Sequence, residues 1–354
     1  MTKTSAGITM RLCLIIACSL VLGACADSEP ERPWPTKLPD NPEDGYHYDG
    51  SSDPYYEGWY YKVALPSQDD AFFFIYTVLN PLPGSQMPAE AFLYCGRQKT
   101  GETVYQSFPV EAFSASRKVR DVRISDTARA TALRFAGAAA DAGGACDWDV
   151  WLDEGVAWKE TMGWLTGQTG LETSWTVGTI RAKASGRINF NGVSYEFDDG
   201  VGYCDHNWGI IFPRQWIWMQ AASFPGSDAA LAASGGTLDL GGTEIEAMMI
   251  GLYLDGEMIT FRTQDFDTVD RQAEKGHWLL NGESGNRRIS IEAHCDPATM
   301  FHLLAPTETG MQPRAWESLV GTVSVTLEQR ASETDDWLIV FEESSEYAGV
   351  EIGE

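Results

Sequence analysis

The chain reads as an all-β protein built of antiparallel barrels or sandwiches, with length enough for two of them. Three observations carry this expectation. Apolar and aromatic runs of strand length recur along the 354 residues, tight two-residue turns join several of them, and amphipathic helical patterns are scarce. Roughly 300 residues lie beyond the N-terminal segments, more than one small domain needs.

In chain order, residues 1–24 have the form of an export signal. Lys3 and Arg11 are their only charges, and the apolar run from Leu12 to Leu22 is too short to span a bilayer. Leu22-Gly23-Ala24-Cys25 resembles the bacterial lipobox, whose cysteine is diacylated and becomes the new N-terminus. That resemblance implies an exported protein held on the periplasmic face of a membrane through Cys25. Ala26, where an aspartate would signal retention, favours the outer membrane. Residues 25–44 carry Pro30, Pro33, Pro35, Pro39 and Pro42 among charges and read as an extended tether. No later run is apolar and long enough to cross a membrane.

The net charge is −26, with 51 acidic against 25 basic residues. Such a surface repels nucleic acid and anionic headgroups, so a nucleic-acid partner is not expected. Cys95, Cys146, Cys204 and Cys295 follow the anchor. An exported chain allows three full pairings among them, and four buried thiols serve equally well. Their spacings match no metal pattern, and no metal site is expected.

Ala71 to Leu79 is an aromatic-rich strand closed by Asn80-Pro81. Arg187–Phe190 and Val193–Phe197 flank Asn191-Gly192, and Met248–Leu254 and Glu257–Phe261 flank Asp255-Gly256. Both dipeptides suit hairpin turns that need positive φ. Further strands are expected at Thr103–Phe108, Val119–Ile124, Thr131–Phe135, Asp147–Leu152, Trp216–Ser223, Ala229–Ser234, Arg288–Ala293, Val320–Gln329 and Trp337–Phe341. The Ala/Gly-rich stretch Ala136 to Ala145 looks like a loop, and Asp153 to Glu172 like a long connection or lid. Two similar units would join between Gly202 and Gln215, giving residues 45–203 and 204–354.

Two clusters concentrate polar chemistry among aromatics. The first runs from Tyr55 to Lys62. Period two places Tyr55, Glu57, Trp59 and Tyr61 on one face, and Tyr56, Gly58, Tyr60 and Lys62 on the other. The second holds Asp205-His206-Asn207-Trp208-Gly209, then Phe212-Pro213 and Trp216-Ile217-Trp218-Met219-Gln220.

These clusters resemble the tocopherol cyclase family. Gly45-Tyr46-His47-Tyr48-Asp49-Gly50 leads into Glu57-Gly58-Trp59-Tyr60, and the later match runs from Tyr203 through Gln220. Gly235-Gly236, Ala305-Pro306-Thr307-Glu308 and Ala348 to Gly353 also follow the family's pattern. The likeness covers the chain from about Gly45 onward, most specifically around Trp208. One departure stands out. The family usually has Glu-Lys before Asn/Asp-Trp-Gly, and this chain has Asp205-His206, closer to the related carotenoid hydratase-like proteins.

The resemblance implies two tandem lipocalin-like antiparallel β-barrels and acid-promoted addition to a prenyl double bond, without cofactor or metal. In a cyclase, the ring hydroxyl of a prenylated hydroquinone captures the cation. In a hydratase, water does. Both outcomes stay open here, as does a carrier that shelters a hydrophobic molecule at the membrane surface without changing it. Asp205 and His206 are the candidate catalytic residues: a buried carboxylic acid or an imidazolium could protonate an alkene. Strand alternation points them to opposite faces. Trp59, Trp208, Trp216 and Trp218 could stabilise a cation through their ring faces, and Asn207 or Gln220 could hold a quinol hydroxyl. Each has a structural counterpart reading. Gly58-Trp59 suits a barrel plug, Glu57 an ion pair with Lys62, and Asp205-His206 a brace between barrels.

Replacing Cys25 with serine is expected to abolish incorporation of labelled palmitate and to release or mis-process the protein. Unchanged labelling would overturn the anchor.

Overall fold

The computed structural model describes residues 33–39, 41–85 and 87–354, so the signal segment and Cys25 lie outside the described residues. Residues 35–354 form one compact unit. It is nearly all β, in two antiparallel sheets.

The first sheet holds β1 (Tyr56–Leu65), β2 (Asp70–Leu79), β3 (Glu90–Arg97), β4 (Glu102–Phe108), β5 (Phe113–Ala115), β6 (Asp121–Ile124), β7 (Ala128–Thr131), β8 (Arg134–Asp141), β9 (Gly144–Trp158), β10 (Thr173–Phe190) and β11 (Val193–Gly209). Its spatial order is 4-3-2-1-11-10-9-8-7-6-5. The second holds β12 (Gln215–Ala221), β13 (Ala230–Leu240), β14 (Thr243–Leu254), β15 (Glu257–Arg262), β16 (Thr268–Glu274), β17 (His277–Ser284), β18 (Arg287–His294), β19 (Phe301–Thr307), β20 (Gly310–Gln329) and β21 (Leu338–Gly353). Its order is 15-14-13-12-21-20-18-17-16, with β19 pairing β20. The two sheets are tandem lipocalin-like barrels.

Alternation builds each interior. Trp59, Tyr61, Val63 and Leu65 of β1 enter the first barrel with Phe72, Phe74, Trp148 and Cys204. Ile217, Met219, Ile250, Trp278 and Val325 fill the second. Both expected hairpins form, with φ of 50° at Asn191 and 78° at Gly192, and 50° at Asp255 and 85° at Gly256.

A third layer of packing joins the barrels. Outward residues of β1, β2 and β3, among them Tyr56, Phe73 and Phe92, meet Trp216, Phe301, Leu303 and Leu319. Trp158, Trp175 and Val177 meet Trp218, Ala232 and Met249. Strands at this seam are therefore buried on both faces. That is why Phe72-Phe73-Phe74 is unbroken: Phe72 and Phe74 serve the first barrel, and Phe73 serves the seam. Full burial of one such side chain contributes about 1.5–3 kcal/mol, so separating the barrels would expose many at once. Polar bridges add direction. Gln98 donates to the Thr299 carbonyl at 2.9 Å and accepts from the Leu319 amide at 2.7 Å.

Several expectations need correction. Ala136 to Ala145 is not a loop: it spans β8, a tight turn and the start of β9, because small residues still pair across a ladder. The connection proposed for Asp153 to Glu172 is shorter, since β9 runs on to Trp158. The boundary placed after Tyr203 falls inside β11, whose pairing with β1 continues to Gly209. The sheets part between Gly209 and Gln215. The tether also ends earlier than Asp44. Pro42–Asp44 is a helical turn docked on the first barrel, with Asp44 paired to buried Arg120 at 2.7 Å. Gly178 makes room for that pair, since a Cβ there would lie 1.5 Å from Arg120 Nη2. The four described cysteines after the anchor are free thiols, three of them buried.

Asp44→Ala leaves the Arg120 cation buried without its partner. Breaking such a pair costs roughly 3–5 kcal/mol, and urea denaturation should show a loss of that order. A loss below about 1 kcal/mol would mean that the docked turn contributes little.

Candidate active site

Residues 203–208 of β11 alternate between two environments. Tyr203, Asp205 and Asn207 face the seam; Cys204, His206 and Trp208 face the first barrel and its N-terminal cover. The sequence-predicted residues accordingly separate into two groups.

The seam group surrounds a cavity. Asp205, Asn207, Trp216 and Trp218 line one part of it with Tyr60, Trp175, Glu317 and Glu351. The adjoining part is apolar, with Met162, Phe212, Leu238 and Met249. The two parts share Trp175, Asn207, Phe212, Trp216 and Ser234.

Asp205 is buried, and its Oδ2 accepts from Trp175 Nε1, Trp218 Nε1 and the Tyr203 hydroxyl, each at 2.9 Å. Oδ1 is buried with no hydrogen-bond partner. Burial pushes this carboxyl up to about 6, against the pull of the three donors. Glu317, 1% exposed, accepts from the Tyr60 hydroxyl at Oε1, and its Oε2 has no partner. Burial, and then the neighbouring Glu351 carboxyl, push it well above the usual range. Glu351 accepts from Trp216 Nε1, and burial pushes it up to about 7. Three carboxyls thus share one aromatic-walled space.

Backbone pairing explains how they meet. β12 lies against β21, with Trp216 opposite Gly353 and Trp218 opposite Glu351. Gly349 and Gly353 leave the space the indoles occupy: a Cβ would come within 2.5 Å of Trp218 at the first and 2.2 Å of Trp216 at the second. Glu351 stands between them. Gln220 is buried beside the cavity, not on its lining, and accepts from Lys62 Nζ at 3.3 Å. Burial pushes the Lys62 ammonium down to about 7, with Glu317 opposing.

The other group is a clamp. His206 Nε2 lies 2.9 Å from Glu57 Oε1, and Nδ1 lies 3.2 Å from the Glu43 carbonyl. Trp59 stacks on the His206 ring at 4.5 Å, and Trp208 stacks on His47 at 3.9 Å. Glu57 also accepts from the His47 amide and the Tyr55 hydroxyl. Burial pushes the Glu57 carboxyl up, but the His206 and His47 donors outweigh it and hold it low. Burial pushes His206 down, against Glu57. The expected Glu57–Lys62 partnership does not form; alternation puts the two on opposite faces, and Glu57 pairs with imidazoles instead. None of Glu57, Trp59, His206 and Trp208 lines the cavity.

His47, Glu57 and His206 bring three ligand-type atoms within 4.8 Å, as do the surface residues His277, Glu292 and His294. In the first set His47 Nδ1 and His206 Nε2 both meet Glu57 Oε1, at 3.3 and 2.9 Å.

Glu317 and Glu351 were missed in the sequence. The available signal was a lone acid on an otherwise apolar face, Ala315-x-Glu317-x-Leu319, and a carboxylate flanked by glycines at Gly349 and Gly353.

Comparison with known proteins agrees with this architecture. "Probable tocopherol cyclase, chloroplastic" of Oryza sativa subsp. japonica is 26% identical over 88% of this chain and 78% of its own length. "Tocopherol cyclase, chloroplastic" of Zea mays is 25% identical over 88% and 77%. Among solved structures, a Nitrosomonas europaea protein provisionally designated AttH superposes with a TM-score of 0.51 at 14% identity, covering 90% of this chain and 98% of that one. CghA gives 0.51 at 12% identity, covering 89% and 95%. These two likenesses concern the fold. The tocopherol cyclase-like family profile matches residues 53–134 and 121–354, which span both barrels and the seam between them, and the chain belongs to that family.

Proposed function

We propose that the chain is an enzyme that cyclises a prenylated hydroquinone by acid-promoted addition in the seam cavity. The observation that carries this reading is the set of three carboxyls with raised affinity for protons inside one aromatic-walled cavity. The chloroplast relatives named as tocopherol cyclases support the same substrate class, a hydrophobic isoprenoid-bearing ring.

Protonating an alkene needs an acid that keeps its proton at neutral pH. Glu317 fits: its free Oε2 is placed to carry and donate the proton. The proton adds to the less substituted alkene carbon and leaves a tertiary cation. Trp175, Trp216 and Trp218 border the cavity, where a desolvated cation over an indole gains about 2 kcal/mol. The phenolic oxygen then closes the ring through its lone pair, and its proton passes to Asp205. Asp205 has the lower proton affinity of the two, and its Oδ1 is free to accept. Two carboxyls whose environments separate their protonation fit an acid and a base. The product is an isomer of the substrate, and nothing is oxidised or reduced. Water in place of the phenol would give a hydrated product from the same cation.

In this reading Asn207 orients the ring hydroxyl, while His206, Glu57, Trp59 and Trp208 position β11 and do not touch substrate. Gln220 acts through Lys62 at the seam. The sequence signals at Cys25 support placing the enzyme, exported and lipid-anchored, on a bacterial membrane.

Glu317→Gln and Asp205→Asn should each lower chromanol formation by roughly 10²–10⁴-fold, measured by mass spectrometry of product, with ligand binding retained. Turnover of the wild type should rise as Asp205 ionises through about pH 6 and fall at higher pH as Glu317 loses its proton. Stability gives a separate readout. A carboxyl with a raised folded-state pKa stabilises fully below its unfolded value and loses that contribution as pH rises through the folded one. Glu317→Gln should therefore melt higher than wild type at pH 8 and gain little at pH 4. Normal melting with unchanged turnover in both variants would remove the catalytic assignment. Tight retention of a prenylated quinol with no product from the wild type would favour the carrier.

A further inference from the structure

We infer that the surface beside the apolar part of the cavity docks against a lipid bilayer through Trp164 and Phe266, which enter the interface. The inference rests on the proposed function in one respect: a lipid substrate must reach the cavity from a membrane.

The two rings are out of place on a polar surface. Trp164 is 58% exposed and Phe266 is 97% exposed. Phe266 also sits at φ 69°, a left-handed conformation that is uncommon for a bulky residue. This backbone ends the helical turn Thr263–Asp265, where the Phe266 amide donates to the Thr263 carbonyl at 3.1 Å, and it leaves the ring directed outward. The two tips are braced together and to the cavity wall. Trp164 Nε1 donates to the Gln264 carbonyl at 2.9 Å, and Gln264 Nε2 donates to the Met162 carbonyl at 3.0 Å. Met162 lines the apolar part of the cavity.

The N-terminal segment arrives at the same place. Glu43 accepts from the Glu160 amide at 3.0 Å, and the Glu160 carbonyl accepts from Arg262. The chain thus joins the body within a few residues of both tips. Cys25 and Glu43 are 18 positions apart, a reach of at most about 60 Å. A lipid on Cys25 would hold this edge near the bilayer and raise the local concentration of the aromatic tips there. The indole of Trp164 combines an apolar body with a polar N–H, which suits the membrane–water boundary, and the Phe266 ring adds apolar area to bury there. The other exposed apolar run, Leu338 to Val340, lines neither part of the cavity. With a net charge of −26, the contact must be apolar, so anionic lipid should weaken it.

The test uses the full chain carrying Cys25→Ser, which removes the anchor, with and without Trp164→Ser and Phe266→Ser. Sedimentation with phosphatidylcholine vesicles should show partitioning that falls at least about tenfold in the triple variant, and further phosphatidylserine should reduce binding by both proteins. In the anchored protein, Trp164→Ser with Phe266→Ser should leave turnover of detergent-dispersed prenylated quinol unchanged and slow turnover of vesicle-embedded quinol by about tenfold. Equal partitioning of the two Cys25→Ser proteins would overturn the docking surface, whatever the activity. So would concentration-dependent dimerisation without vesicles that the two serine substitutions abolish, since a second copy would then be the occupant. If no form turns over quinol in detergent while partitioning still falls, the functional reading fails and the docking surface stands.

Discussion

Burial of β1 and of residues 200–209 of β11 on both faces is the constraint from which the site follows. A strand at the edge of a solvated sheet can place one row of side chains in water. These segments cannot, because one row fills the first barrel and the other meets the second. Polar residues on them must then find partners inside the protein. Glu57 and His206, opposite in row to Tyr60 and Asp205, find each other and the backbone of residues 43–47. Asp205 finds two indoles and a phenol. The barrels are therefore not independent domains with a site in one of them. The cavity exists only where they meet.

That location sets the electrostatics. Asp205, Glu317 and Glu351 come from β11, β20 and β21, so the carboxyls are gathered from both barrels. Water excluded from the seam penalises their charged forms. Mutual repulsion adds to this, most visibly at Glu317 beside Glu351. The arrangement is unfavourable for stability at neutral pH, where the unfolded chain would ionise all three. The hydrophobic seam offsets it: Phe73, Phe301, Leu319 and Trp158 are each no more than 4% exposed. A fold that could separate its barrels would relieve the strain by hydrating the acids.

Much of this was legible in the sequence. Period two in Tyr55 to Lys62 assigned the faces of β1, and the two turn dipeptides fixed two hairpins. The same rule separated Asp205 from His206. What was not legible came from contacts between distant strands. Glu317 lies 112 positions from Asp205, and no local pattern says that β20 crosses the seam at that height. Ala136 to Ala145 lacks the branched and aromatic residues that mark strands, yet pairing with β9 holds it. Asp44 looked like the end of a tether because its partner, Arg120, is 76 residues away.

The geometry also bears on the departure from the family's usual Glu-Lys before Asn-Trp-Gly. The second residue of that pair, His206 here, faces the clamp, where its two ring nitrogens meet Glu57 and the Glu43 carbonyl. A lysine at the same position would also carry a proton donor toward Glu57, so the exchange of lysine for histidine changes how the N-terminal turn is held and leaves the cavity lining alone. The first residue is the one that reaches the cavity. Asp205 is one methylene shorter than a glutamate, and it is met by Trp175, Trp218 and Tyr203. The departure therefore alters one of the three carboxyls in the cavity and leaves the other two, Glu317 and Glu351 on strands of the second barrel, in place.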